Sequence, residues 1–329
     1  MVTHTPYSTL YQLTQILNDG AFHDGESVGR KLGLSRTAIW KAISKLEQYG
    51  AELERIKKKG YRLKTALSLL DPVRLEQALK VKFTLFESID STQSALKQRK
   101  LLDHTPWVYI AEQQTQGRGR LDRTWHSPFG QNLYLTLRYS FQKDMSELTG
   151  LSLAVALSMA KAAEVLVPQA SFSVKWPNDL VYRHQKLGGC LMEVQAEAHG
   201  VSTVWIGIGL NINSDPREVA SHPPISQPWT SLSAILGSPL DRTACLLHLM
   251  QVLCEDLKAF EQSGFQGFQA RWQACDGLFN QPVILQRASG VLEGIACGIN
   301  PEGHLQVKDA SGALIACASG DVIKTRSGG

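Results

Sequence analysis

Along residues 7–50 the apolar positions fall at helical spacing. Leu10, Leu13, Ile16 and Leu17 line one face of a segment over 7–18. Val28 and Leu32 mark a shorter second helix, and Gly33 permits a tight turn. Ser35 can then cap a third helix whose inward stripe is Ile39, Ile43 and Leu46, ended by Gly50. AELERIKKKGYRLK reads as two short strands around a basic turn. After a linker and short helix in TALSLLDPVRLEQALK, the chain becomes strand-rich: strands are predicted over 83–86, 108–111 and 132–139, and a helix opens at Ser91-Thr92. A long helix with an apolar face is predicted over 147–167. FSVKWPNDLVYRHQKLGGCLMEV reads as strand, break at Pro177, strand, turn, strand, and VWIGIGLNIN as a further strand. Segments 241–262 and 265–274 read as helical. From Gln281 onward, short alternating strands separated by Gly-containing turns are the signature of a small barrel.

Composition narrows this picture. A chain of 329 residues is long enough for two or three domains, and 43% hydrophobic with 19% charged residues is ordinary globular usage. No run approaches the roughly 20 apolar residues of a membrane span, and the first residues lack signal-peptide features, so a cytoplasmic protein with no membrane partner is expected. The six cysteines form no C-x-x-C pair, and His104, His184, His199 and His304 stand alone, so no metal site is expected. Charge does change the reading. Residues 1–66 hold eleven Lys/Arg against six Asp/Glu, a net +5, which leaves −1 for the rest of a chain of net +4. That asymmetry points to an acidic polymer as partner of the N-terminal part.

Two short helices joined by a glycine-containing turn, followed by a basic strand pair, form a winged helix-turn-helix. The second helix of such a pair enters the major groove with its N-terminal residues leading. Arg36, Thr37, Trp40, Lys41 and Ser44 are therefore candidate readers, beside Ser35 at the cap. Trp40 could instead pack against the first helix. Lys57, Lys58, Lys59 and Arg62 on the wing would touch phosphates.

The stretch AEQQTQGRGRLDRTWHSPFGQNLYL gathers glycines and arginines between two strands rather than between a strand and a helix, which excludes a dinucleotide fold. Arg118 and Arg120 flank Gly119, so both guanidinium groups can face an anion that the main chain approaches closely. Such a loop can act as a lid ordered by its ligand. Asp179 and Lys186 flank a turn of six residues, and a hairpin would bring them together. Ser91 and Thr92 can cap the helix they open or offer hydroxyls to a ligand.

DST at 90–92, the Gln-x-x-Gly-Arg-Gly-Arg of 114–120, SPFG, NLYL, KWPNDL, KLGG and GIGLNIN occur in the order seen in biotin protein ligases, and the chain resembles the members that carry a winged helix in front. The resemblance covers nearly all residues. It implies an α+β chain: an N-terminal winged helix-turn-helix over 1–66, a class II synthetase-like biotin/lipoate ligase catalytic domain over 67–274, and a C-terminal SH3-like β-barrel over 275–329. It also implies that biotin and MgATP are joined as biotinyl-5′-adenylate, that biotin passes to a lysine of biotin carboxyl carrier protein, and that the adenylate-bound homodimer represses the biotin operon at its operator DNA. Ligand contacts are implied for Ser91, Thr92, Gln93, Gln114, Gly117, Arg118, Gly119, Arg120, Lys186 and Gly188. Adenylate contacts are implied for Trp125, Asn178, Asp179, Asn211 and Trp229, the last stacking on adenine. Arg118 and Lys186 would clamp the transition state, and Asp179 would assist transfer. Leu121-Asp122 departs from the family, many members having a glycine two residues after the second arginine. The acid could weaken anion affinity, or pair with Arg123 and alter the loop. A biotin-sensing regulator without ligase activity and a lipoate ligase-like enzyme are the alternatives.

Overall fold

The computed structural model describes residues 7–99, 103–196, 200–217, 225 and 227–325; His199 lies outside them. In the N-terminal part, Ser8, Asp24 and Ser35 each accept a backbone N–H and open α1 (Thr9–Leu17), α2 (Gly25–Leu32) and α3 (Arg36–Gln48). Gly33 adopts the left-handed conformation that ends α2. Leu10, Leu13, Leu17, Val28, Ile39, Ile43 and Leu46 close into one core, as their spacing predicts. An antiparallel pair, β1 (Leu53–Ile56) and β2 (Gly60–Leu63), forms the wing.

The central part begins with α4 (Pro72–Ala78), β3 (Lys82–Phe86), α5 (Thr92–Gln98), β4 (Trp107–Ala111) and β5 (Leu133–Phe141). The helix predicted over 147–167 is broken. A 3-10 turn over Met145–Leu148 stops at Gly150, whose left-handed φ of 79° restarts the chain as α6 (Leu151–Leu166). A Cβ on Gly150 would lie 2.5 Å from the Phe265 ring, so close packing also demands glycine there. Then come β6 (Ser173–Lys175), β7 (Asp179–Tyr182), β8 (Gln185–Ala196), β9 (Ser202–Leu210), α7 (Leu232–Leu236), α8 (Arg242–Ser263) and α9 (Gln269–Cys275). The first half of the helix predicted over 265–274 is a 3-10 turn, Gly264–Phe268.

Seven strands form one sheet in the order β3-β4-β5-β9-β8-β7-β6, antiparallel except for β3 with β4. Its two faces differ. Leu135, Leu137, Cys190, Ile206, Ile208 and Leu210 face α6 and α8 in the main core, whereas α5 covers Tyr109 and Trp205 on the other side. Met145–Leu166 is long and apolar enough to cross a membrane by composition, an exception to the expectation from the sequence. It is 67% buried here as the central helix of this core. Five further strands, β10 (Pro282–Arg287), β11 (Gly290–Ile299), β12 (Leu305–Lys308), β13 (Leu314–Cys317) and β14 (Asp321–Thr325), form the expected C-terminal antiparallel β unit.

The parts are joined by polar ties. Asn18 exchanges two hydrogen bonds with the backbone of Leu67, and Phe129 enters the N-terminal core 4.8 Å from the Tyr49 ring. Glu112, at the end of β4, pairs with Arg242, which is 0% exposed. Removing one partner of a buried pair strands a charge and typically costs about 3–5 kcal/mol.

Candidate ligand-binding site and nucleic-acid interface

On the α5 face of the sheet, glycines replace side chains. A Cβ on Gly207 would lie 2.2 Å from Gln93 Oε1, one on Gly209 2.3 Å from the Trp125 ring, and one on Gly189 2.9 Å from Asp179 Oδ1. Above this floor lies a cavity of about 310 Å³, walled by α5, the loop between β4 and β5, and the β7–β8 hairpin, a size suited to a small molecule. Ser91, Thr92, Gln93, Gln114, Arg118, Gly119, Arg120, Trp125, Asn178, Asp179 and Lys186 all line it.

Each wall has a local cause. Gln114 Oε1 accepts from the Thr92 amide at 2.9 Å and its hydroxyl at 3.0 Å, and Gln114 Nε2 donates to Ser127 Oγ. Ser91 caps α5 through the Ser94 amide, and the Thr92 hydroxyl also meets Thr136 Oγ1 at 2.9 Å, so both hydroxyls already have protein partners. The loop folds as a small hairpin with a bridge between Arg118 and Thr124. Its tip, Leu121-Asp122, is left-handed at both residues, a backbone most side chains disfavour. Arg123 pairs with Asp321 of β14; the alternative of an Asp122–Arg123 pair is not what forms. Arg120 donates to Asn178 Oδ1 at 3.2 Å and to the Gly320 carbonyl at 2.9 Å, so the C-terminal unit holds the loop against the cavity.

The hairpin brings Lys186 Nζ to 2.9 Å from Asp179 Oδ2, with the two side chains 17% and 18% exposed. Lys186 also sits 5.4 Å from the Trp125 ring centroid. Trp125 Nε1 is buried with no hydrogen-bond partner in the protein, so a ligand acceptor would satisfy it. Arg118 donates to Glu193 at 3.2 Å. Burial would raise the Glu193 carboxyl, but Lys97 and Arg118 hold it below its ordinary range. Burial lowers His126 and Lys175 below their ordinary values and pushes the Cys190 thiol up to about 12, leaving that thiol inert at neutral pH.

Four expected residues fall elsewhere. Gly188 faces the core, where its Cβ would meet Met159. A bulge skips Leu187 between the Val181–Lys186 and Leu180–Gly188 pairs, which reverses the alternation and turns Gly189 toward the cavity. Asn211 is spent on the Thr230 carbonyl at 3.0 Å, and Trp229 bridges Lys186 through its backbone. Gly117 lies behind the cavity, where a Cβ would be 2.4 Å from the Trp125 carbonyl. Sequence reasoning assigned no role in the site to Arg123, Thr136, Glu193 or Asp321; the first three stand beside the motifs in the chain, whereas Asp321 reaches the site from the C-terminal unit. Among the described residues no three His, Cys, Asp or Glu side chains come together as a metal centre.

On the N-terminal part, Arg36, Thr37, Trp40 and Lys41 are exposed on α3, and Ser44 is half-buried. Trp40 is 53% exposed and does not pack against α1. Ser35 uses its hydroxyl to cap the Ala38 amide. A groove between α3 and the wing is lined by Arg36, Thr37, Trp40, Arg55, Lys57 and Lys58. Lys57, Lys58 and Lys59 are exposed and form no ion pair among the described residues. Arg62, expected to touch phosphates, instead pairs with Glu54 and lies 4.7 Å over the Phe22 ring. Arg55 is likewise paired, with Glu47.

Comparison with known proteins agrees with this layout. Residues 9–62 match an HTH domain, 85–213 the biotin/lipoate A/B protein ligase family, and 278–325 the biotin protein ligase C-terminal domain. The bifunctional ligase/repressor BirA of Salmonella typhimurium is 35% identical over 294 residues, 89% of this chain and 90% of that protein. The biotin–[acetyl-CoA-carboxylase] ligase of Paracoccus denitrificans is 30% identical, covering 69% of this chain and 94% of its own. The solved biotin protein ligase from Aquifex aeolicus in complex with biotin and ATP superposes with a TM-score of 0.61 at 28% identity, over 73% of this chain and 96% of that one.

Proposed function

Because the chain belongs to the biotin protein ligase family, we propose that it joins biotin to ATP as biotinyl-5′-adenylate and transfers biotin to a lysine of biotin carboxyl carrier protein. It also acts as an adenylate-dependent repressor of the biotin operon through its winged helix. The observation that carries this reading is the cavity itself, where Lys186, Arg118 and Arg120 converge over a floor of three glycines in a chain that also presents a basic groove.

In the first half-reaction the biotin carboxylate attacks the α-phosphorus of ATP and pyrophosphate leaves. Two anions must meet, and fixed cations offset their repulsion without reorganising. Arg118 and Lys186 are assigned this role, Arg118 by exchanging Glu193 for the ligand. Ser91, Thr92, Gln93 and Gln114 hold biotin, with Gly119 and Arg120 closing over it. Trp125 and Asn178 meet the adenylate, and Trp229, whose backbone bridges Lys186, stacks on adenine. Asn211 acts by fixing the segment that bears Trp229. Gly117 serves the loop's fold. Mg2+ carried on ATP would offset part of its phosphate charge. In the second half-reaction the carrier lysine amine attacks the acyl carbonyl, an amide forms, AMP departs, and Asp179 eases loss of the amine proton. The closed loop keeps water from the mixed anhydride.

The domain limits 1–66, 67–274 and 275–329, and the cytoplasm as location, belong to the same reading. So does homodimerisation when the adenylate orders the loop, which lets two winged helices bind a palindrome; the same sheet edge would receive the carrier protein, making the partners exclusive. Incubation with biotin, MgATP and a carrier fragment tests the ligase, with a gel shift on the biotin operon promoter run beside it. Failure to biotinylate would leave the regulator reading, and transfer of lipoate in place of biotin the lipoate one. Sedimentation showing equal dimerisation with and without the adenylate would remove the switch.

A further inference from the structure

Arg242, at the start of α8, lies away from the cavity and is fully buried. Every hydrogen bond of its side chain goes to one of three acceptors. Nε donates to the Asn132 carbonyl at 2.9 Å, joined by Nη2, while Nη1 reaches the Ser68 carbonyl at 2.8 Å and the Glu112 carboxylate. The other Glu112 oxygen accepts the Leu70 amide at 2.6 Å. Glu112 and Asn132 are the two ends of the ligand loop, and Ser68 and Leu70 belong to the linker from the winged helix. The Glu112 carbonyl also accepts the Gly130 amide at 3.0 Å, closing the loop's base. A Cβ on Gly130 would lie 2.9 Å from Leu69 Cδ2, so the base rests directly on the linker. One residue earlier, Phe129 meets Tyr49, the C-cap of α3. The adjacent pair Gln113 and Gln114 divides the same way, Gln113 donating to the Tyr49 carbonyl at 3.3 Å and Gln114 facing the cavity.

We propose that Arg242, with Glu112, is a positioning residue that clamps both ends of the ligand loop and the winged-helix linker at one point, so that retention of the reaction intermediate and the setting of the DNA-binding part share one anchor. The proposal rests on the cavity being the adenylate site. A planar guanidinium is suited to this because its fixed donors hold three chain segments at once, which an ammonium cannot reproduce. With the base clamped, closure over a ligand is confined to the arch around Arg118–Trp125, and strain from that closure reaches the linker through Glu112 rather than dissipating in a loose stem.

The test compares the full chain with Arg242→Lys, which keeps the charge and loses the fork. Near-UV circular dichroism confirms folding, and three quantities are read: the rate of adenylate formation, the half-life of the bound adenylate, and the ratio of operator affinities with and without it. Formation should stay within about threefold, while release should quicken about tenfold or more, a loss expected from slight misplacement of a closing segment. The affinity ratio should fall about fivefold or more, within the usual range of coupling. A folded Arg242→Lys protein with the parental half-life and ratio would show a purely structural residue and overturn the proposal. Hydrogen exchange on the unsubstituted chain reads the same clamp without a variant. Adenylate should slow the Leu70 amide more than the amides of β10 and β11, and equal slowing would also overturn it. A parent chain that forms no adenylate would instead sink the ligase reading on which the clamp depends.

Discussion

Replacing Lys186 by methionine keeps an unbranched side chain and removes the ammonium, which sits 5.4 Å from the Trp125 ring centroid, so its consequences for folding and for chemistry can be separated. The Lys186–Asp179 pair is less than a fifth exposed and 2.9 Å long, which places it between a surface pair of about 0–1 kcal/mol and a buried pair of about 3–5 kcal/mol. The contact with the Trp125 ring adds roughly 0.5–1 kcal/mol. A destabilisation of about 1–3 kcal/mol follows, at about 2–4 °C of melting temperature per kcal/mol for a domain of roughly 150–250 residues. The protein should therefore remain folded at assay temperature. Chemistry should suffer more. Loss of one fixed group aimed at developing charge costs roughly 10²–10³ in rate, or about 2.7–4 kcal/mol. The assay is single-turnover formation of biotinyl adenylate with labelled ATP, followed by transfer to a carrier fragment. Adenylation should fall by that factor, while transfer from preformed adenylate should fall far less. Adenylation within threefold of the parent, in a variant that melts as predicted, would refute the assignment of Lys186 to the transition state.

Arg118→Ala should fold, because Arg118 is half-exposed and pairs only at the rim with Glu193, but it should lose the intermediate early; a normal intermediate lifetime in single turnover would count against the loop's role. Substituting Lys58 by alanine should weaken operator binding evenly across sequences and reduce the slope of log K against log salt by about 0.9, whereas Trp40→Ala should relax sequence preference with little change in slope, both read by fluorescence anisotropy. Burial holds the His126 imidazole below its ordinary value of 6.5. The unfolded chain therefore binds a proton that the folded one resists, and the stability this group contributes, present above that value, is lost as pH falls through the folded one. Melting temperatures from pH 7.5 to 5 should show a steeper acid loss than in His126→Gln, and parallel curves would remove this explanation.

Local patterning carried the N-terminal part well, since Leu10, Leu13, Ile39, Ile43 and Leu46 are spaced for one helical face each and meet in one core. The Asp179–Lys186 pair was also legible, because the short hairpin sets Lys186 against Val181, two positions from Asp179 on the same strand face. What escaped depended on events that periodicity does not encode. The bulge at Leu187 changes parity, so that Gly189 rather than Gly188 reaches the cavity. Gly150 interrupts an otherwise continuous apolar helix because Phe265, over a hundred residues away, fills the space a Cβ would need. Asp321 and Arg242 join the loop from 198 and 130 residues downstream. The partner of Asp321 is set by how the C-terminal unit docks and those of Arg242 by packing within the central part, and nothing near either residue in the sequence marks them. Asn211 stands in a legible motif, yet its amide serves the chain and not the cavity.

The most direct measurement is a crystal structure of the chain bound to biotinyl-5′-adenylate. The acyl phosphate should lie between Lys186 and the Arg118 guanidinium, released from Glu193, above Gly189, Gly207 and Gly209, with residues 114–127 folded over it. An adenylate seated elsewhere, or bound with that loop turned away and Arg118 still on Glu193, would contradict the account.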